Sequence, residues 1–128
     1  MRYIDWFGDG SVVVLDCALA CCAIETEAAR PSSARTLPAP PPDARLVVTV
    51  SGTLTAPLAP LLKATIDAQP VPPTVVAVGA CACSGGPYWD ALPVVPGIAD
   101  TVHVDHFIAG CPPPPEAIDA VMRQVRDA

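Results

Sequence analysis

The chain has 128 residues, enough for one domain with one core that buries roughly two thirds of the unfolded surface. Seven Lys and Arg stand against 13 Asp and Glu, a net charge of -6; with no basic stripe to displace counterions, nucleic acid is excluded as a default partner. Hydrophobic residues make up 52% and charged residues 16%, an apolar excess that points to partner subunits, yet no apolar run reaches the ~18 residues of a membrane span.

The opening Met1-Arg2-Tyr3-Ile4-Asp5-Trp6 lacks the basic and apolar regions of a signal peptide, so the chain is expected in the cytoplasm. Gly8-Asp9-Gly10 marks a turn, and the β-branched run 11–15 predicts a first strand buried on both faces. Residues 21–30 are rich in helix formers, carry acids early and Arg30 late, and stop at Pro31, which predicts a short helix. The stretch 31–44, with Ser32-Ser33 and Pro38-Ala39-Pro40-Pro41-Pro42, reads as an exposed, polyproline-leaning loop.

A second strand is predicted over 45–50, ending in the Ser51-Gly52-Thr53 turn. Leu58, Leu61, Leu62 and Ile66 recur at helical spacing, so 57–69 is expected as an amphipathic helix with that stripe in the core. Prolines at 70, 72 and 73 break it. Residues 74–78 form a third strand running into Gly79-Ala80-Cys81-Ala82-Cys83-Ser84-Gly85-Gly86, and 101–109 a fourth that enters Gly110-Cys111 and four prolines, with a closing helix over 116–127. This alternation predicts a single α/β domain over 1–128, with a four-stranded parallel sheet between helical layers.

Six cysteines in a reducing compartment read as metal or redox ligands before disulfides. The adjacent pair Cys21-Cys22 narrows this. Neighbouring cysteines suit neither ordinary disulfide geometry nor a single zinc ion, which favours C-x₂₋₄-C spacing, whereas neighbouring thiolates can reach different irons of a cubane. Cys81 and Cys111, in glycine- or proline-flanked turns, complete four thiolates. All six cysteines are expected after the carboxyl ends of strands, the edge where open parallel sheets bind ligands. A zinc site and inert buried thiols are the competing readings.

Three pieces, Ala20-Cys21-Cys22-Ala23-Ile24-Glu25, Val78 through Gly86, and Val104 through Pro113, resemble the 20-kilodalton (B) subunit family of respiratory complex I. Trp6 stands at the family's distance before the tandem pair, and Ser51-Gly52-Thr53-Leu54-Thr55 resembles the family's turn after its second strand. The resemblance implies a flavodoxin-like three-layer fold and one [4Fe-4S] cluster on Cys21, Cys22, Cys81 and Cys111, passing electrons toward quinone. It also implies a large 49-kilodalton-like or hydrogenase large-subunit-like partner, a ferredoxin-like subunit as a further neighbour, no nucleic acid, and peripheral placement at the inner face of the cell membrane through partners. No activity is expected of the chain alone. Cys17 and Cys83 fall outside the implied ligand set and are read as structural; Glu25 matches a family acid beside the cluster.

Two departures stand out. The segment between Glu25 and Ser51 is shorter than in the family, where it helps build the quinone pocket, and only prolines follow Cys111 where the family often has Arg. The small subunits of nickel-iron hydrogenases share the implied fold, which makes a relay to or from a nickel-iron centre the alternative function; their membrane-bound group usually carries C-x-x-C where this chain has the tandem pair. A cluster-less assembly module is a third possibility. His103 and His106 are expected as packed or edge residues of the fourth strand, and Glu116 and Asp119 as capping acids of the last helix.

Overall fold

A computed structural model of the chain describes residues 3–19, 22–88, 90, 92 and 94–128. Among the described residues six strands form one mixed sheet: β1 (Tyr3–Asp5), β2 (Val12–Ala18), β3 (Arg35–Leu37), β4 (Arg45–Ser51), β5 (Thr74–Val78) and β6 (His106–Ile108). The helices are α1 (Cys22–Ala29), α2 (Ala59–Asp67), α3 (Ala80–Ser84) and α4 (Pro115–Asp127), with a short 3₁₀ turn at Gly86–Tyr88.

Across the sheet the order is β3-β1-β2-β4-β5-β6. The pairs β2–β4, β4–β5 and β5–β6 are parallel, as the four predicted strands require. β1 is antiparallel to both β2 and β3, so β3 runs in the same direction as β2. Taken by chain order, the five strands of common direction therefore read 2-1-3-4-5 across the sheet, the flavodoxin-like order, with β1 inserted between the first two. The order reverses between β2 and β4, and the rim beyond their carboxyl ends is the place where such folds bind ligands.

Strand alternation sorts the core. Leu15, Cys17, Val48, Val50, Val75 and Ala77 face the layer containing α2, with Leu62, Ile66 and Ile98. Val12, Val14, Val47, Val76 and Val78 face α1 and α4, with Trp6, Ile118 and Met122. Among the described residues no helix is long and apolar enough to cross a membrane.

Several expectations are corrected. The 31–44 segment is not a loop throughout: Arg35–Leu37 pairs with β1, and Arg35 Nη2 reaches the fully buried Asp5 carboxylate at 3.0 Å. That same carboxylate accepts the Gly8 and Gly10 N–H groups at 3.1 Å, so one acid folds the first turn and secures the edge strand. The fourth strand is three residues, because Val102 N–H turns back to Ile98 O and ladder pairing begins only where Asp105 N–H meets Val75 O. His103 consequently lies in an exposed turn, paired with Asp105, while His106 is half-buried in β6. Of the α2 stripe, Leu62 and Ile66 are core, but Leu58 and Leu61 are 41% and 59% exposed. Asp119 is no cap: it accepts Trp6 Nε1–H at 3.0 Å and Arg123 Nε–H at 2.7 Å. Glu116 stands in the first turn of α4, where an acid suits the helix dipole.

Candidate cluster site

β2, β5 and β6 each end at the same rim, and each is followed by a cysteine-bearing segment. Past β2, Leu19 N–H still donates to Ser51 O at 2.8 Å, which carries the chain to the start of α1 at Cys22. Cys22 is buried at 2% exposure among Trp6, Val78 and Ile108. Its sulfur fills the space left by the missing side chain of Gly79: a Cβ there would stand 2.3 Å from Cys22 Sγ. Gly79 also has φ +90°, a conformation that side chains resist.

The turn after β5 is hydrogen-bonded to the turn after β6. Gly79 N–H donates to Ile108 O and Ala80 N–H to Gly110 O, both at 2.7 Å. The segments carrying Cys81 and Cys111 are thereby held side by side, with Cys22 over their junction. Cys81 is buried at the start of α3, and a Cβ on Gly86 would come within 3.0 Å of its sulfur. Cys111 is exposed, its turn packed so closely that a Cβ on Gly110 would lie 2.6 Å from Pro113 Cα; the Cys111–Pro112 peptide is cis. Cys21 lies outside the described residues. Among the described residues no three His, Cys, Asp or Glu side chains close on one point suited to a single metal ion.

The remaining two cysteines are placed differently. Cys17 lies within β2, not after it, with its side chain in the α2-facing core; burial, and then the neighbouring Asp16, push its thiol up to about 11. Cys83 turns back from α3 toward Ala77 O and Ile108 O, each at 3.7 Å, and burial raises its pKa. Cys17 belongs to the α2-facing core and Cys83 packs against it. Glu25 is half-exposed in the first turn of α1.

The chain matches the family described as the 20 kDa subunit of NADH ubiquinone oxidoreductase over residues 17–125. The chain belongs to that 20 kDa subunit family. It is 43% identical to the B subunit of NADH-quinone oxidoreductase from Clostridium beijerinckii, covering 90% of this chain and 72% of the relative. With the B subunit from Heliobacterium modesticaldum the identity is 39%, over 89% of this chain and 69% of the relative. With the B 2 subunit from Streptomyces griseus it is 41%, over 90% of this chain and only 52% of the relative. Among solved structures, a chain of the membrane-bound sulfane sulfur reductase, an archaeal respiratory membrane complex, superposes with a TM-score of 0.56 at 30% identity, covering 64% of this chain and 49% of that one. The stretch matched to the 20 kDa family takes in the three cysteine-bearing segments that follow β2, β5 and β6.

One feature near the rim escapes sequence reading. Asp16, on the α1-facing side of β2, accepts hydrogen bonds from Thr49 Oγ1 at 2.7 Å and Ser51 Oγ at 2.9 Å, and burial raises its pKa despite both donors. The available signal is an acid that keeps the period of buried Val12 and Val14, opposite Thr49 in the parallel register.

Proposed function

We propose that this subunit holds one [4Fe-4S] cluster on Cys21, Cys22, Cys81 and Cys111 and relays electrons toward quinone within a multi-subunit oxidoreductase. The observation that carries the reading is the pair of 2.7 Å bonds from Gly79 and Ala80 to Ile108 and Gly110, which brings the Cys81 and Cys111 turns together under the Cys22 sulfur. The donor set fits the group: soft thiolates suit iron–sulfur chemistry, and glycines at 79 and 86 leave room where side chains would crowd the Cys22 and Cys81 sulfurs. When bound, the cluster supplies one-electron redox chemistry. The chain's own residues hold the thiolates, keep Cys22 and Cys81 away from water, and leave the Cys111 side exposed, the direction from which a neighbouring subunit can approach. Glu25, in the first turn of the helix that begins at Cys22, takes a tuning role in this reading. The partner is a large subunit of the 49-kilodalton or hydrogenase type, with a ferredoxin-like subunit upstream, and the complex sits at the inner face of the membrane through its partners.

A second reading, relay to or from a nickel-iron centre in the large subunit, is favoured by the short segment between Glu25 and Ser51, where the family builds part of its quinone pocket. Anaerobic purification with the neighbouring subunits separates the two. About four iron and four sulfide per chain with quinone-dependent reoxidation supports the first, and nickel in the large partner supports the second. Cys81→Ala and Cys111→Ala should each abolish the visible absorbance while Cys83→Ala retains it. Cluster retained in Cys111→Ala and lost in Cys83→Ala would overturn the ligand assignment.

A further inference from the structure

Three polar links join Asp16 to the peptide group of Cys22. Asp16 Oδ1 and Ser51 Oγ lie 2.9 Å apart, Ser51 Oγ and Thr26 Oγ1 also 2.9 Å, and Thr26 Oγ1 lies 3.2 Å from Cys22 O. Thr26 and Ser51 are both buried, so water does not complete these links for them. Each hydroxyl carries one hydrogen, and a carbonyl or carboxylate carries none. Two hydrogens therefore serve three links when Asp16 is ionised. Ser51 then donates to Asp16 and Thr26 to Ser51, leaving the Cys22 carbonyl without the Thr26 hydrogen. A proton on Asp16 supplies the third, and every hydrogen reverses: Asp16 donates to Ser51, Ser51 to Thr26, and Thr26 to Cys22 O.

We propose that Asp16 stores a proton taken from solvent, and that Ser51 and Thr26 form a relay whose polarity reverses with that proton and reports it to the backbone of Cys22. The surroundings favour storage. Burial holds the Asp16 carboxyl above the usual range, with Glu27 across the way adding to the effect. Glu27 is the charged group facing it from α1, and it is tied to Arg30 at 2.6 Å; β4 presents only the neutral hydroxyls of Thr49 and Ser51, β1 presents Ile4, and the chain neighbour Cys17 is a protonated thiol. Among the described residues Asp16 has no cationic partner. An open cavity of about 440 Å³, lined by Asp16, Ile4, Ala23, Ile24 and Glu27, gives the carboxyl access to solvent.

The storage and the relay stand without a cofactor; their coupling to electron transfer rests on the proposed cluster. In the protonated state the Thr26 hydrogen points at the Cys22 carbonyl and opposes negative charge gained at the Cys22 thiolate. Protonated Asp16 thus favours the reduced form, and by reciprocity reduction raises the proton affinity of Asp16. One O–H bond forms at Asp16 with a solvent proton for the electron delivered by the upstream carrier, and no other bond changes.

The test is pH-difference infrared spectroscopy of the full chain as purified, following the carboxylic C=O band that Asp16→Asn removes. Thr26→Val is the decisive variant, because Thr26 does not touch Asp16. Without Thr26, Ser51 loses the acceptor it needs only when Asp16 is protonated, so the Asp16 midpoint should fall. An added apolar side chain acting through burial alone would leave the midpoint unchanged or raise it, and that result overturns the relay. Thr26→Ser should restore the wild-type midpoint, which guards against a folding defect in the valine variant. An Asp16 band that titrates with the ordinary carboxylates overturns the storage. The coupling is read separately, from the pH dependence of the midpoint potential in dithionite-reduced, dye-mediated titrations. The slope should be present in wild type and flattened in Asp16→Asn; equal slopes overturn the coupling. A chain that binds no cluster would defeat the proposed function while leaving the infrared result to decide the relay.

Discussion

Gly79 sets how closely the Cys22 sulfur can approach the turn after β5. Its φ of +90° costs a side-chain-bearing residue about 1–3 kcal/mol, and the 2.3 Å between a Cβ and Cys22 Sγ would force the sulfur away from the rim. The clash with the sulfur can relax by a Cys22 rotamer change, but the positive φ cannot, so the backbone strain remains. Gly79→Ala should therefore lower unfolding free energy by about 1–3 kcal/mol in a urea titration and reduce cluster absorbance per chain by more than the loss of folded protein explains. Full absorbance in a folded Gly79→Ala chain would mean that Cys22 does not hold its ligand through this contact. At this scale the nearness of the Cys22, Cys81 and Cys111 segments is legible because each follows a strand end, the last two in glycine- or proline-flanked turns. Cys17 is less so, since its side depends on where β2 ends, and the strand runs through it to Ala18. Asp16 is not legible as a network, because its partners Thr49 and Ser51 lie 33 and 35 residues away and meet it only through parallel register.

The elements that can be read from sequence are those with a period long enough to count. The parallel strands announce themselves as Val-rich runs, and α4 carries buried Ile118, Met122 and Val125 on one stripe. β1 and β3, at three residues each, have no period, and the prolines flanking β3 in sequence argue for a loop. Their reason lies elsewhere, in the Asp5 carboxylate that gathers two N–H groups and Arg35. The N-terminal segment is fastened to α4 as well. Trp6 is fully buried beside Ile118 and Met122 and donates to Asp119, and Arg126 lies over the Phe7 ring at 4.3 Å. The Arg123–Asp119 pair adds little, being exposed on the arginine side. Two variants divide packing from hydrogen bonding. Trp6→Phe keeps most of the buried ring and should cost about 1 kcal/mol beyond its smaller volume, for the lost bond to Asp119, whereas Trp6→Ala should cost about 3–5 kcal/mol. Both are measured by chemical denaturation; equal costs would mean that the bond to Asp119, and not the ring, anchors the segment.

Over the whole molecule, the strand order and the apolar composition converge on the same rim. The reversal between β2 and β4 opens the carboxyl edge where Ala18 and Leu19 lead toward Cys22, and on the α2 side those residues border an apolar groove of about 170 Å³ with Leu54, Leu58, Leu61 and Cys17. Leu58 and Leu61, 41% and 59% exposed, on one side and Ile24, 69% exposed, on the other frame the rim with apolar surface that this chain leaves in water. A monomer gains no stability by leaving such side chains in water, whereas a chain from a family of complex subunits gains from burying them against a neighbour. Composition alone indicates missing partners without locating them, because exposure depends on how α2 is rotated against the sheet. Replacing both leucines, Leu58→Lys with Leu61→Lys, should change the chain's own stability by no more than about 0.5 kcal/mol per site and leave its cluster absorbance intact. Recovery of partner subunits with the tagged chain should nevertheless fall several-fold, since two ammonium groups would have to be desolvated in the contact. Undiminished recovery with unchanged stability would place the partner on another face, whereas a large loss of stability would mean that the two side chains belong to the core of α2.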